Sequence, residues 1–266
     1  MLKQKYRDFG EMIICTWSAA LFVAAATAAT AASAEAKVVA KTVEFKGGVG
    51  NVKAFLAMPE GKGPFPAIVV IHEWWGLSDW VKQNAERFAA QGYAALAIDL
   101  YKGKLATEPS EAHELMRALD QTEVVGDLKG AVAFLKSLPE VARDKKVGSI
   151  GWCMGGGYSR ELAQACNDIG PAVICYGSVT VDDSAVAKLA DKPILGIFGA
   201  DDRGIKPETV KMFESKLKET SKAKSKIIIY PAAGHGFMRP GGASYNEKAT
   251  TEAWGEIDKF LAHELK

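Results

Sequence analysis

Gly151-Trp152-Cys153-Met154-Gly155 has the Gly-x-nucleophile-x-Gly spacing of a strand that turns abruptly into a helix and lifts one side chain above a sheet. Glycine is required on both sides because the nucleophile occupies a strained backbone. A Cβ at 151 or 155 would meet the neighbouring strand or the helix start. A lone cysteine is ordinarily a small buried hydrophobe. Two glycines at the right offsets, the apolar run Val147–Ile150 before them and a helix-forming run after them instead mark Cys153 as a nucleophile. A thiol attacks as thiolate, so it needs a base, and an imidazole base needs an acid to fix its tautomer. His235 stands between Gly234 and Gly236, after a strand, where the glycines let the backbone carry the ring close to a neighbouring loop. Asp201 and Asp202 are the acids between thiol and imidazole. The spacing Gly199-x-x-Asp202-x-x-Ile205 favours Asp202, with Ile205 anchoring the loop; the bland alternative for both is a solvated turn capping the helix at Pro207. Acyl transfer also needs donors aimed at the developing oxyanion. The N–H after the nucleophile, Met154, and an N–H of the loop after the third strand, Trp74, are the candidates, although the Trp74 and Trp75 side chains read equally well as core or lid aromatics.

These residues need a scaffold that brings strand ends together. Thr42–Phe45 and Lys53–Met58 alternate around Gly47-Gly48-Val49-Gly50-Asn51, which predicts a β-hairpin. From Pro66 the pattern changes to continuous apolar runs, Ala67–Ile71 and Ala94–Ile98, the mark of strands buried on both faces of a parallel sheet. Val147–Trp152, Val173–Tyr176, Ile194–Phe198 and Ile227–Tyr230 continue the series. Helices are predicted after Ser78 or Asp79, over 110–137 with a break near Gln121, over 155–167, 183–189, 207–220 and 245–265. The fold class is therefore α/β, a mostly parallel sheet of about eight strands with helices on both faces. Ligands of open α/β sheets bind beyond the carboxyl ends of the strands. The residues there are His72-Glu73-Trp74-Trp75-Gly76, Asp99-Leu100-Tyr101, Cys153, Tyr176-Gly177-Ser178, Gly199 to Arg203, and Ala233 to Phe237.

Together these pieces resemble the dienelactone hydrolase (carboxymethylenebutenolidase) family of the α/β-hydrolase superfamily. The similarity rests on His72-Glu73-Trp74-Trp75-Gly76, Asp99-Leu100-Tyr101, Gly151-Trp152-Cys153-Met154-Gly155-Gly156, Gly199-Ala200-Asp201-Asp202 and Gly234-His235-Gly236-Phe237, and extends over nearly all of residues 35–266. The resemblance implies ester or lactone hydrolysis by a Cys153, Asp202, His235 triad through a thioester. It also implies that Glu73 interacts with the thiol of the resting enzyme and that Arg239 binds a substrate carboxylate. The family's second carboxylate-binding arginine has no secure counterpart after Asp99, where Arg117 is nearby but in poor register, which leaves ester or lactone cleavage intact but not dienelactone itself as the substrate. A rival reading from another class is a redox-active or ligand-binding thiol protein on the same scaffold, since an accessible cysteine of this kind is also what oxidants modify.

The bulk properties limit the setting. The chain of 266 residues opens with Lys3, Lys5 and Arg7, then an Ala-rich apolar run ending in Ala32-Ser33-Ala34, which predicts a signal peptide over residues 1–34 and a periplasmic or secreted protein. A retained membrane anchor is the alternative. Residues 35–266 form a single domain of ordinary globular composition. The whole chain carries a net charge of +1, and loss of the leader brings it to zero, so nothing argues for nucleic acid. A small-molecule ester or lactone is the expected partner, the chain is expected to act as a monomer, and no stable membrane association is expected once the leader is cleaved. No Cys/His ligand cluster calls for a metal, and no organic cofactor is implied. Of the cysteines after the leader, Cys166 reads as a helix end and Cys175 as mid-strand, which argues against their pairing.

Overall fold

The computed structural model describes residues 37–266. The expected leader and its cleavage point after Ala34 lie outside the described residues. An antiparallel hairpin, β1 (Val38–Lys46) and β2 (Asn51–Pro59), precedes six further strands: β3 (Ala67–Ile71), β4 (Ala94–Ile98), β5 (Val147–Trp152), β6 (Ile169–Cys175), β7 (Ile194–Gly199) and β8 (Lys226–Tyr230). They form one sheet in the order β1-β2-β4-β3-β5-β6-β7-β8. β2 runs antiparallel to both neighbours, and every pairing from β4 to β8 is parallel.

The apolar runs explain why the middle of the sheet is covered on both sides. In β3, Ala67, Val69 and Ile71 face a layer that includes α3 (Gln121–Ser137), α4 (Met154–Ala165) and α6 (Pro207–Thr220). Ile68 and Val70 face α1 (Asp79–Ala90) and α7 (Glu247–Leu265). With alternate side chains buried on opposite faces, a one-residue slip would exchange the two cores, and this pins the register. Each buried Ile or Val contributes roughly 1.5–3 kcal/mol relative to exposure, so these two layers are the main source of stability. Two further helices, α2 (Pro109–Arg117) and α5 (Asp183–Ala187), complete the set, and among the described residues no helix is long and apolar enough to cross a membrane.

The helix ends follow their chemistry. Asp120 caps α3 by accepting the Glu123 N–H at 2.9 Å, which explains the break between α2 and α3, and Asn246 caps α7 by accepting from Ala249. The last helix thus starts two residues later than its apolar pattern suggested. Ser78 holds the cap position of α1 but makes no side-chain cap bond. β1 is longer than its alternating stretch, because the backbone ladder with β2 extends from Lys46↔Asn51 to Val38↔Pro59 irrespective of side chain. Cys153, Cys166 and Cys175 are all free thiols.

The chain passes from β3 outward to β4 and then returns to lay β5 on the other side of β3. Connections after β3 and β5 therefore diverge to opposite sides of the sheet, leaving a crevice above their carboxyl ends.

Candidate active site

Cys153 occupies the first turn between β5 and α4 with φ 54° and ψ −117°, a conformation that costs a non-glycine residue about 1–3 kcal/mol. The sharp turn requires its flanking glycines. A Cβ on Gly155 would run into the Ile71 and His72 carbonyl oxygens of the adjacent strand end, and one on Gly151 would meet the Gly155 carbonyl. The Cys153 N–H donates to the Cys175 carbonyl at 2.9 Å, which fastens the corner to β6.

Three elements then converge on the sulfur. The loop after β8 brings His235, whose Nε2 lies 3.1 Å from Cys153 Sγ and whose Nδ1 lies 2.8 Å from Asp202 Oδ2. The loop after β7 supplies Asp202, which is buried, whereas its neighbour Asp201 is exposed and takes no part. Asp202 Oδ1 accepts the N–H groups of Gly204 and Ile205 at 2.8 Å each. Burial works against the Asp202 carboxylate, yet these bonds and the one to His235 outweigh it and hold the group below the usual carboxylate range. Burial likewise opposes charge on His235, but the hydrogen bonds and charges of Asp202 and Cys153 prevail and raise the imidazole to about 10. The ring is thus oriented by the acid on one side and available to the sulfur on the other.

The loop after β3 approaches from the opposite side. His72 is fully buried; its Nδ1 bonds the Glu73 carbonyl and its Nε2 accepts the Leu100 N–H at 3.1 Å. Since Nε2 must be the unprotonated nitrogen, His72 is a neutral Nδ1–H tautomer, and burial lowers its pKa accordingly. The N–H of Trp74, in the turn this histidine braces, and that of Met154, the first residue of α4, donate to no acceptor within the described residues. Two unspent donors on the two sides of the elbow are what a developing oxyanion requires.

Glu73 is almost completely buried, and its partners are Tyr176 and Arg239 rather than the thiol. The Tyr176 hydroxyl donates to Glu73 Oε1 at 3.5 Å, and Arg239 Nε lies 3.9 Å from Oε2. Burial pushes the Glu73 carboxyl up to about 7, against the opposing pull of Arg239, His235 and Tyr176. Arg239 also lies over the Trp75 ring, 4.9 Å from its centroid, so its charge is already shared between a carboxylate and an aromatic face.

A cavity of about 410 Å³ opens over the elbow, lined among others by Cys153, Met154, His235, Tyr176, Ile205 and Arg117. Arg117, out of register in the sequence, thus reaches the cleft at the end of α2, where it forms no ion pair with an acidic side chain of the described residues. Tyr176 stands at a strand end that the sequence already marks, but its contacts with Glu73 and His235 are not encoded there.

An open sheet in this strand order, with a cysteine at a sharp strand-to-helix corner after β5, an acid after β7 and a histidine after β8, defines an α/β-hydrolase fold. The chain belongs to the dienelactone hydrolase family, whose family model matches residues 52–265. A Methylorubrum extorquens protein carrying a provisional carboxymethylenebutenolidase name is 31% identical over 80% of this chain and 77% of the relative. The protein usf of Aquifex pyrophilus is 30% identical over 84% of this chain and 98% of its own. A solved dienelactone hydrolase-like promiscuous phosphotriesterase from metagenomic libraries superposes with a TM-score of 0.77 at 25% identity, covering 86% of this chain and 99% of that one. Family membership makes the protein a carboxylic ester hydrolase acting on small-molecule esters or lactones.

Proposed function

We propose that the hydrolysis runs through Cys153 as nucleophile and a thioester intermediate, in an enzyme exported from the cytoplasm and acting as a monomer. The observation that carries the reading is the unbroken chain from Asp202 to His235 to Cys153, with links of 2.8 Å and 3.1 Å, at a backbone corner held in a strained conformation. The Cys153 thiolate attacks the ester or lactone carbonyl carbon, and the carbonyl π electrons move onto oxygen, where the Met154 and Trp74 N–H groups receive the charge. Collapse of this tetrahedral species expels the alkoxide, which takes a proton from His235 and leaves the acyl group on sulfur. Water enters, His235 removes its proton, and the second tetrahedral species expels the thiolate, regenerating the resting pair. Asp202 stabilises the imidazolium through both halves of the cycle. The volume of the cleft suits a small acyl compound.

The test is a Cys153→Ala variant assayed on a panel of lactones and aryl esters, with mass spectrometry of the quenched parent enzyme. Turnover should fall by at least about three orders of magnitude with the fold intact. The parent should carry an acyl adduct on the Cys153 peptide. Hydrolysis by the alanine variant at the parent rate would eliminate the thiol mechanism.

A further inference from the structure

Tyr176 immediately follows β6 with φ 38°, in the left-handed region that a bulky side chain rarely adopts, and its side chain is completely buried. Strain of this kind persists only where the surroundings over-determine it, and it concentrates at working sites. Here the backbone is gripped on both sides. The Tyr176 N–H donates to the Ile197 carbonyl at 2.7 Å, and the next residue, Gly177, packs against the backbone of Gly156 and Gly157 too closely for any side chain. The consequence of the kink is where the ring goes. It packs edge-on against His235 with centroids 5.4 Å apart, leans on Phe237 at 5.6 Å and directs its hydroxyl to Glu73. A phenol whose ring touches the catalytic base and whose hydroxyl touches a buried acid joins two groups that make no hydrogen bond to each other.

Resting on the Cys153 reading above, we propose that Tyr176 is a positioning residue: its hydroxyl holds the Glu73 carboxylate on the Arg239 side and away from the thiol, leaving His235 as the hydrogen-bond partner of Cys153. Without the hydroxyl, Oε1 of Glu73 has no side-chain donor. The carboxylate loses a bond that favours its charged form and becomes free to turn toward the sulfur. The charged and titratable groups facing Glu73 are Arg239 and His235 from the loop after β8, and Tyr176 and Cys175 from the end of β6. Cys153 lines the same cavity as Tyr176 and acts on its hydroxyl through charge, and His72 is the preceding residue, neutral and engaged through the Glu73 backbone. Of the carboxylates around the triad, Asp202 is held ionised, so Glu73 is the acid of this group that changes charge near neutrality.

The experiment is iodoacetamide alkylation followed at the Cys153 peptide from pH 5 to 9, for the parent, Tyr176→Phe, Glu73→Gln and the double variant. Alkylation does not depend on turnover, so failure of the hydrolytic mechanism and failure of this proposal register separately. In the parent, the ionisation of Glu73 should produce an inflection near neutrality, and Glu73→Gln should abolish it. Tyr176→Phe should move that inflection upward by a few tenths of a unit to about one unit, because the lost hydrogen bond favoured the carboxylate. The double variant should match Glu73→Gln. A Tyr176→Phe profile superposable on the parent, or a uniform change that persists unaltered in the Glu73→Gln background, overturns the proposal. Should Tyr176→Phe not fold, the Glu73→Gln comparison decides, since an inflection surviving that substitution removes the acid through which Tyr176 is said to act.

Discussion

His72 Nε2 accepts the Leu100 N–H at 3.1 Å, joining the loop after β3 to the loop after β4. The contact is fully buried and makes the histidine part of the site's frame without bringing it to the substrate.

His72 should therefore be sensitive to acid. Burial lowers its folded pKa below the ordinary 6.5, so between the two values the unfolded chain binds more protons than the folded one. Stability is accordingly full above about pH 6.5 and is lost as the pH falls through the folded value. His72→Ala should lower kcat/KM by roughly 10- to 100-fold by loosening the Trp74 N–H, since small misplacements of positioned groups have costs of this size. Thermal unfolding between pH 5 and 7.5 should show a shallower pH slope in the variant; parallel curves would mean that His72 does not titrate on unfolding.

Asp202→Asn should retain the fold and lose about three to four orders of magnitude in kcat, since the amide can orient the imidazole in the wrong tautomer and cannot stabilise its cation. The pH dependence has a definite sign. The raised His235 pKa contributes stability that is complete below about 6.5 and disappears as the pH rises through about 10. The stability deficit of Asp202→Asn relative to the parent should thus narrow on approaching pH 10, as read by urea unfolding at stepped pH. A constant deficit would assign the loss to packing instead of charge.

Arg117 lines the cleft from an exposed position, so Arg117→Ala should change stability by no more than about 0.5 kcal/mol. For an ester bearing a carboxylate, KM should rise roughly tenfold, the loss of one charge-assisted contact, while a neutral ester of the same size is unaffected. Equal effects on both esters would remove Arg117 from substrate selection.

The proposed export predicts a definite amino terminus. Protein recovered from the periplasm or medium should begin at or near Glu35, as amino-terminal sequencing would show. Recovery of intact Met1 in washed membranes would instead support an anchor.

Much of the scaffold is legible because its causes are local. The short, continuous apolar runs Ala67–Ile71 and Ala94–Ile98 mark strands buried on both faces, and the glycines at 151 and 155 announce a tight corner by their spacing around Cys153. The order of thiol, acid and imidazole is likewise linear information. Other features depend on which loops meet over the β3/β5 junction. Asp201 and Asp202 are chemically identical neighbours, and only the folded loop buries one and exposes the other. The partners of Glu73 are similarly non-local: Tyr176 lies 103 residues away along the chain, and its ring reaches the acid through a backbone kink that no apolar pattern encodes. Arg117 enters the cleft because a capped break after α2 ends that helix beside the elbow, and a register count along the sequence cannot contain that turn. Periodicity acts between near neighbours, whereas hydrogen-bond partners and charge environments are set by distances in space, which exist only once the strands have taken their order around β3.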